Sequence, residues 1–337
     1  MRRFARGVNG VFVVDKPRGI TSYDVVRQLK RVMPRVKIGY LGTLDPLATG
    51  VLPILLGEGT KLVPFLEAGT KTYEADLILG VTTDTQDREG KVLQSVDVGD
   101  YDLSPHRVEE VIQRFRGRIM QLPPMYSALK QNGEPLYKLA RRGEAVERTP
   151  REVEIYELQA TEIDSPTLHL HIECSKGTYI RTVAHDIGEQ LGCGAHLAAL
   201  RRIRSGPFCL EDALSLDDIE SLAHTGKLKE RILTLSQAVG FLPAVEVEDA
   251  DAFHIRNGQT ITLERVPHGS EEEGRVVRVL TRKGGGFVAV GGIERGKEGL
   301  MLKPLRVFHD AIFTKGPSCG RDTVHTMTQT MVDQGGR

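Results

Sequence analysis

The stretch GYLGTLDPLATGVLPILLG, residues 39–57, sets a single carboxylate, Asp45, in an apolar run punctuated by glycine. The flanking cations in sequence are Lys37 and Lys61. A buried carboxylate has to be paired, protonated or engaged in chemistry, because burying an uncompensated charge is too unfavourable. Two readings meet at this residue. An aspartate before Pro46 starts a turn. A reactive aspartate needs a cation to hold it ionised and a group able to move a proton, and both must arrive from elsewhere in the chain.

Working outward, VFVVDKPRG reads as a short buried strand ended by Pro17 and Gly19. The next segment, TSYDVVRQLKRVM, reads as a helix capped by Thr21 or Ser22, with Val25, Val26, Leu29, Val32 and Met33 on one face. In TYEADLILG, Tyr73, Ala75, Leu77 and Leu79 alternate with more polar neighbours, the pattern of a half-buried strand. TTDTQDREG follows as an acidic turn or loop. SPHRVEEVIQRFRG places proline at the first helical position and glycine just past the end. An irregular, basic insertion spans residues 123–144 and is a candidate for gripping a ligand. REVEIYELQATEI and TLHLHIECSKG form an expected hairpin, TYIRTVAHDIGEQLG a helix, and AHLAALRRIRSG extended or mixed structure.

From residue 244 onward, FHIRNGQTITL, RVVRVLTRKGGG, FVAVGGIE and LMLKPLRVF read as short β segments between glycine-rich turns, a small all-β module. The expected organisation is an N-terminal tail over 1–10, a mixed α/β (α+β) domain over 11–243, the β module over 244–311 and a tail over 312–337.

The chain has 337 residues, 40% of them apolar and 27% charged, which suits a folded two-domain protein. No signal-type apolar run follows the basic N-terminus and no stretch approaches the roughly 18 apolar residues of a membrane span, so the cytoplasm is the expected location. Cys174, Cys193, Cys209 and Cys319 lack a C-x-x-C spacing and read as reduced thiols. His169 and His171 fall on the polar face of one strand, where solvation is the expected state and metal binding is not. The net charge is zero, yet residues 1–40 hold ten bases against two acids, and residues 275–306 hold eight against two. Residues 73–104 and 241–273 each reverse this, with eight acids against two bases. Such segregation permits a polyanionic partner and equally describes solvated faces.

Arg181, at the start of a predicted helix, reads alone as a surface-pairing arginine, and Tyr73 alone as a half-buried aromatic. Taken together, DKPRGITS, GYLGTLDPLATGVLPILLGEGTK, KTYEADLILGVTTDTQD, PPMYSALKQNGEPLYKLAR, CSKGTYIRTVAHDIG and GCGAHLAALRRIRSGPF resemble, in order, the motif series of the TruB-type pseudouridine synthases. The resemblance covers about residues 10–215, and the closing β module resembles the PUA-like RNA-binding domain of that family.

The resemblance implies a pseudouridine synthase fold with a mainly antiparallel central sheet. It implies isomerisation of uridine to pseudouridine at position 55 in the T-loop of transfer RNA, after base flipping. Breaking a C–N glycosidic bond and rejoining the same sugar and base needs no redox change or group donor, so no cofactor is expected. Asp45 is the implied nucleophile, Arg181 its ion-pair partner, and Tyr73 the residue that stacks on the target base and assists proton removal. Tyr179, Leu200 and Lys16 match positions near the base or supporting its pocket. Gly42 and Gly50 are expected to let the backbone approach the nucleotide. One position departs from the pattern: many relatives carry histidine in a GHTG block where this chain has Tyr40, which keeps an aromatic face but not a histidine-like titration. The implied partner is tRNA, held at the T-arm and elbow by a monomer with no membrane association and no obligatory protein partner. The rivals are a guide-RNA-dependent ribosomal RNA synthase, an RNA chaperone without catalysis, and a carboxylate glycosidase, which would need a second positioned carboxylate.

Overall fold

In the computed structural model the described residues are 7–127, 129–131, 133–144, 146–263, 274–296 and 299–309. The expected tail over 312–337, with Cys319, and residues 1–6 of the N-terminal tail lie outside the described residues.

The molecule is mixed α/β, built on a ten-stranded, mainly antiparallel sheet. Its main order is Ala213–Leu214, Gly10–Lys16, Thr49–Leu56, Ala195–Ser205, Lys71–Leu79, Thr167–Cys174, Arg151–Asp164 and Gly117–Gln121. Ile38–Tyr40 and Phe208–Cys209 pair beside this path. The alternation along Lys71–Leu79 buries Tyr73, Ala75, Leu77 and Leu79 as their spacing predicts. On the opposite face, His169 meets Asp76 at 2.8 Å and His171 meets Glu74 at 2.9 Å. These cross-strand pairs account for both histidines, and no group of three potential metal ligands occurs among the described residues.

The strand Ala195–Ser205 is the hinge of the arrangement. Arg202 faces Gly50 in a parallel pairing on one side and Tyr73 in an antiparallel pairing on the other. The chain segment leaving Asp45 and the strand carrying Tyr73 are thereby held one strand apart.

Two helices bring further groups to this place. Ser22–Val32 starts at Thr21 with a capping box, Thr21 accepting from the Asp24 N–H and Asp24 accepting from the Thr21 N–H. It buries Val25 and Leu29 in the main core, beside Leu44, Leu47 and Ala48. Ile180–Leu191 buries Val183, Ala184 and Ile187 and ends at Gly192, whose φ of 92° suits the left-handed stop.

The second sheet has the order Ala244–Val247, Val276–Thr281, Phe287–Gly296, Gly299–Val307, Ile261–Thr262. One expectation is corrected here: of FHIRNGQTITL, only Ile261–Thr262 is strand, while FHIR closes a helix, Asp249–Arg256. Asp249 and Asp251 suit its first turn, His254 and Arg256 its last, and Ala252 and Ile255 form its buried face. The module is therefore a β sheet with one helix. It is continuous with the larger unit through an apolar cluster joining Phe287, Val290 and Phe308 to Leu62, Phe65, Leu235 and Leu242.

Candidate active site

Asp45 lies in a loop fastened from several sides. The Leu41 N–H donates to the Pro53 carbonyl at 3.0 Å, and the Ala48 N–H to the Asp45 carbonyl at 3.1 Å. Buried Ser22 takes both polar groups of Leu44: its Oγ accepts from the Leu44 N–H at 2.9 Å and donates to the Leu44 carbonyl at 3.1 Å. Pro46 O accepts from the Gly19 N–H at 2.8 Å and lies 3.5 Å from Lys16 Nζ. The apolar residues of GTLDPLATG are the loop's anchor: Leu44, Leu47 and Ala48 enter the core, and Asp45 is left facing out.

The cation arrives from residue 181. Arg181 Nη2 stands 3.1 Å from Asp45 Oδ2, and the two side chains are exposed to very different extents, 5% for arginine and 37% for aspartate. The guanidinium is thus a buried backing, and the carboxylate opens towards solvent. Two further groups hold the guanidinium: it donates to the Tyr126 carbonyl at 2.7 Å, and Asp87 Oδ2 pairs with its charge from 3.5 Å. Its Cζ also sits 5.8 Å from the centre of the Tyr179 ring. Tyr179 is held by Gln121, whose side chain accepts from the Tyr179 N–H at 2.8 Å and donates to its carbonyl at 3.1 Å.

Burial raises the pKa of the Asp45 carboxyl above the ordinary value, and Asp87 pushes in the same direction, while Arg181 and Lys16 oppose them. Lys16 is fully buried, its ammonium donating to the carbonyls of Pro17 at 3.0 Å and Ile20 at 2.6 Å. Burial draws its pKa down to about 8, against the opposing charge of Asp45. Burial likewise raises the Tyr73 phenol, with Arg202 acting against it. A carboxylate partly enclosed in this way keeps only part of its hydration and is nucleophilic once ionised, and the guanidinium behind it is the main group that favours that state.

Four of the seven residues singled out in the sequence meet in this arrangement. Asp45, Arg181 and Tyr179 form one continuous contact, and Lys16 joins beneath the loop. Tyr73 is buried in the main core, one strand away from the segment that leaves Asp45. Leu200, opposite Ala75 in the sheet, accepts through its carbonyl from the Thr49 hydroxyl at 3.4 Å. Tyr40 also lies outside this group. Its strand pairs it with Ile54 and its ring is half-buried against the main core. Gly42 and Gly50 have φ of +68° and +99°, but the space they clear is occupied by protein: a Cβ on Gly50 would sit 2.2 Å from the Arg202 carbonyl.

The family comparisons agree with one another. Residues 30–180 match the model of the TruB family pseudouridylate synthase N-terminal domain. Residues 181–239 match the tRNA pseudouridylate synthase B C-terminal domain, and residues 243–308 the C-terminal model of pseudouridine synthase II TruB. The tRNA pseudouridine synthase B of Geobacter sulfurreducens is 49% identical over 78% of this chain and 86% of its own. The chain belongs to the TruB family. The TruB relative from Syntrophomonas wolfei, also a tRNA pseudouridine synthase B, is 42% identical over 89% of this chain and 99% of its own. Among solved structures, a Cbf5-Nop10-Gar1 complex gives a chain with a TM-score of 0.68 at 28% identity, covering 89% of this chain and 85% of that one. The shared architecture thus extends to more distant relatives.

Within this TruB frame, sequence reading passed over three groups. Asp87 was part of an apparently acidic loop, yet it is buried beside Arg181, its Oδ1 accepting from the Thr85 hydroxyl at 2.6 Å and the Glu89 N–H at 3.0 Å. Ser22 was read as a cap and serves the Asp45 loop instead. Arg202 is the third. For Asp87 the available signal was its place inside the TTDTQD block; for the others the partners are too distant in sequence to be read.

Proposed function

We propose that this chain isomerises uridine to pseudouridine in transfer RNA, at position 55 of the T-loop. The relatives' names support the reaction and substrate class, and the observation that carries the residue assignment is the 3.1 Å pairing of outward-facing Asp45 with buried Arg181. Asp45 is the nucleophile. Arg181 favours its ionised form and is itself oriented by Asp87 and the Tyr126 carbonyl. Tyr73 stacks on the extruded base and assists removal of its proton, while Tyr179, Leu200 and Lys16 shape or support the pocket. On the family pattern alone, Tyr40, whose ring is only half-buried, fills the space vacated by the flipped base.

Extruding a base takes roughly a few kcal/mol, so contacts elsewhere on the RNA must offset it. The basic N-terminal region, the 123–144 insertion and the module over 244–311 supply them, binding the T-arm and elbow. The insertion is well placed for this, since its residue Tyr126 touches Arg181. The enzyme works as a stand-alone monomer in the cytoplasm. No helix among the described residues is long and apolar enough to cross a membrane.

The test uses purified protein and an unmodified transfer RNA transcript, with no guide RNA or added cofactor, and maps pseudouridine after incubation. Product at the T-loop uridine, absent with Asp45→Asn, is the expected result. Tight binding without product would reject the stand-alone reading in favour of a guide-dependent one, which the likeness to the Cbf5 complex makes the natural second choice.

A further inference from the structure

Arg202 has the largest of the fully buried side chains, at 1% exposure. Taking a guanidinium out of water is strongly unfavourable, and such groups are normally compensated by a carboxylate. Among the described residues no carboxylate pairs with Arg202; its guanidinium is met by two backbone carbonyls, with the Tyr73 hydroxyl as a further side-chain partner. Its Nε donates to Val51 O at 2.7 Å and its Nη2 to Gly42 O at 2.9 Å. Those carbonyls bracket the loop that carries Asp45, one on each side. The Arg202 backbone closes the same frame, facing Gly50 on one side and Tyr73 on the other. Gly42 has no Cβ where one would approach Arg202 Nη1 to 3.1 Å. Between those two anchors in sequence, the Ser22 hydroxyl holds Leu44 through both its N–H and its carbonyl.

An apolar side chain of similar length would fill this site without a desolvation penalty. What it would not do is tie the two ends of the Asp45 loop to the strand that faces Tyr73. We propose that Arg202 is a positioning residue for Asp45: a charged clamp which, together with Ser22 at Leu44, fixes the loop relative to the Tyr73 strand and touches no substrate itself. The inference rests on the proposed role of Asp45. Displacing a reacting group by about 1 Å can slow a step by about 100-fold without altering substrate binding, and that separation of effects identifies the role.

The experiment compares wild type with Arg202→Met, Arg202→Lys and Ser22→Ala. It measures single-turnover pseudouridine formation at saturating transfer RNA, RNA affinity, thermal midpoint, and amide hydrogen exchange across residues 41–52. The expected result for Arg202→Met is a rate lower by about 100-fold, unchanged affinity, and faster exchange confined to that segment. Arg202→Lys, with one ammonium in place of the fork, recovers only part of the rate. Ser22→Ala loosens the same segment at Leu44. A wild-type rate in folded Arg202→Met overturns the proposal, as does a loss that tracks RNA affinity or loosening throughout the molecule. If Arg202→Met does not fold, Arg202→Lys and Ser22→Ala decide: wild-type rates and exchange in both overturn it. Should the wild type itself make no product, the proposed function fails, while exchange over 41–52 still reports whether Arg202 holds the loop.

Discussion

Asp45 and Asp87 face one guanidinium, so the two carboxylates are not equivalent to remove. Asp45→Asn leaves Arg181 beside Asp87, 3.5 Å away, and relieves a charge that burial disfavours. The variant is expected to lose at least about 10⁴-fold in turnover while keeping or raising its denaturation midpoint. Arg181→Met also loses activity, but it leaves two carboxylates facing each other and should lower stability by about 3 kcal/mol. Paired denaturant titrations decide between these outcomes; equal destabilisation in both would mean the ion pair contributes to stability as a unit. Charge state provides a second residue-scale prediction. Burial lowers the pKa of both Lys16 and Lys71 to about 8 from 10.5. The folded protein therefore binds fewer protons than the unfolded chain between those values, and both lysines make stability rise with pH across that window. Asp45, with its pKa raised, acts in the opposite sense in the acid range: stability contributed by its protonated form is lost as pH rises through the folded value, just as activity appears. Unfolding free energies of the wild type and of Lys71→Met from pH 8 to 10.5 test the lysine part. The rise should be shallower in the variant, and identical slopes would reject it.

At the scale of elements, the catalytic loop depends on an approach that a single methyl group would prevent. Gly50→Ala combines a φ of +99° with a Cβ 2.2 Å from the Arg202 carbonyl, so it should destabilise by at least about 2 kcal/mol and slow turnover. Thr21→Ala supplies the contrast: loss of the capping box should lower stability by about 1 kcal/mol and leave the single-turnover rate unchanged. A comparable slowing in both would place the control in the helix start and not in the strand contact. This division also explains what could be read in advance. The Lys71–Leu79 strand and the Ser22–Val32 helix carry their period in adjacent residues, and each has a face that must be buried. Asp249–Arg256 was misread because its eight residues bury only Ala252 and Ile255, too little to separate a helical stripe from strand alternation. Asp45 could be singled out as a charge lacking a local partner. Asp87 carried only the signal of the TTDTQD block, and Ser22 and Arg202 carried none, since their roles depend on contacts that form only on folding: Arg202 reaches carbonyls 151 and 160 positions away in sequence.

At the scale of the molecule, the junction between the two sheets determines whether the β module is a tethered attachment or part of one folded body. The junction is apolar and charge-capped. The Phe287 and Phe308 rings are 4.9 Å apart, and Lys61 lies over Phe308 while donating to the Val307 carbonyl at 3.2 Å. Glu58 accepts from Lys61 at 2.6 Å and from the His309 N–H at 2.7 Å. Independent domains usually meet across smaller and more polar surfaces, whereas here the second apolar cluster runs through both sheets. A shared core couples their unfolding, so calorimetry of the wild type should show a single transition. Phe308 is fully buried, and Phe308→Ala removes the ring that joins the units, at a loss of about 3 kcal/mol or more. That variant should split the transition, the β module melting first. If the module supplies RNA contacts to an already assembled site, the variant should also bind transfer RNA more weakly yet react at close to the wild-type rate once saturated. Two transitions in the wild type would disprove the common core. A fall in the saturated rate with affinity unchanged would mean that the module acts on the Asp45 site through the sheet, because Val11 and Leu55, which belong to the same apolar cluster, lie on the strands that lead to it.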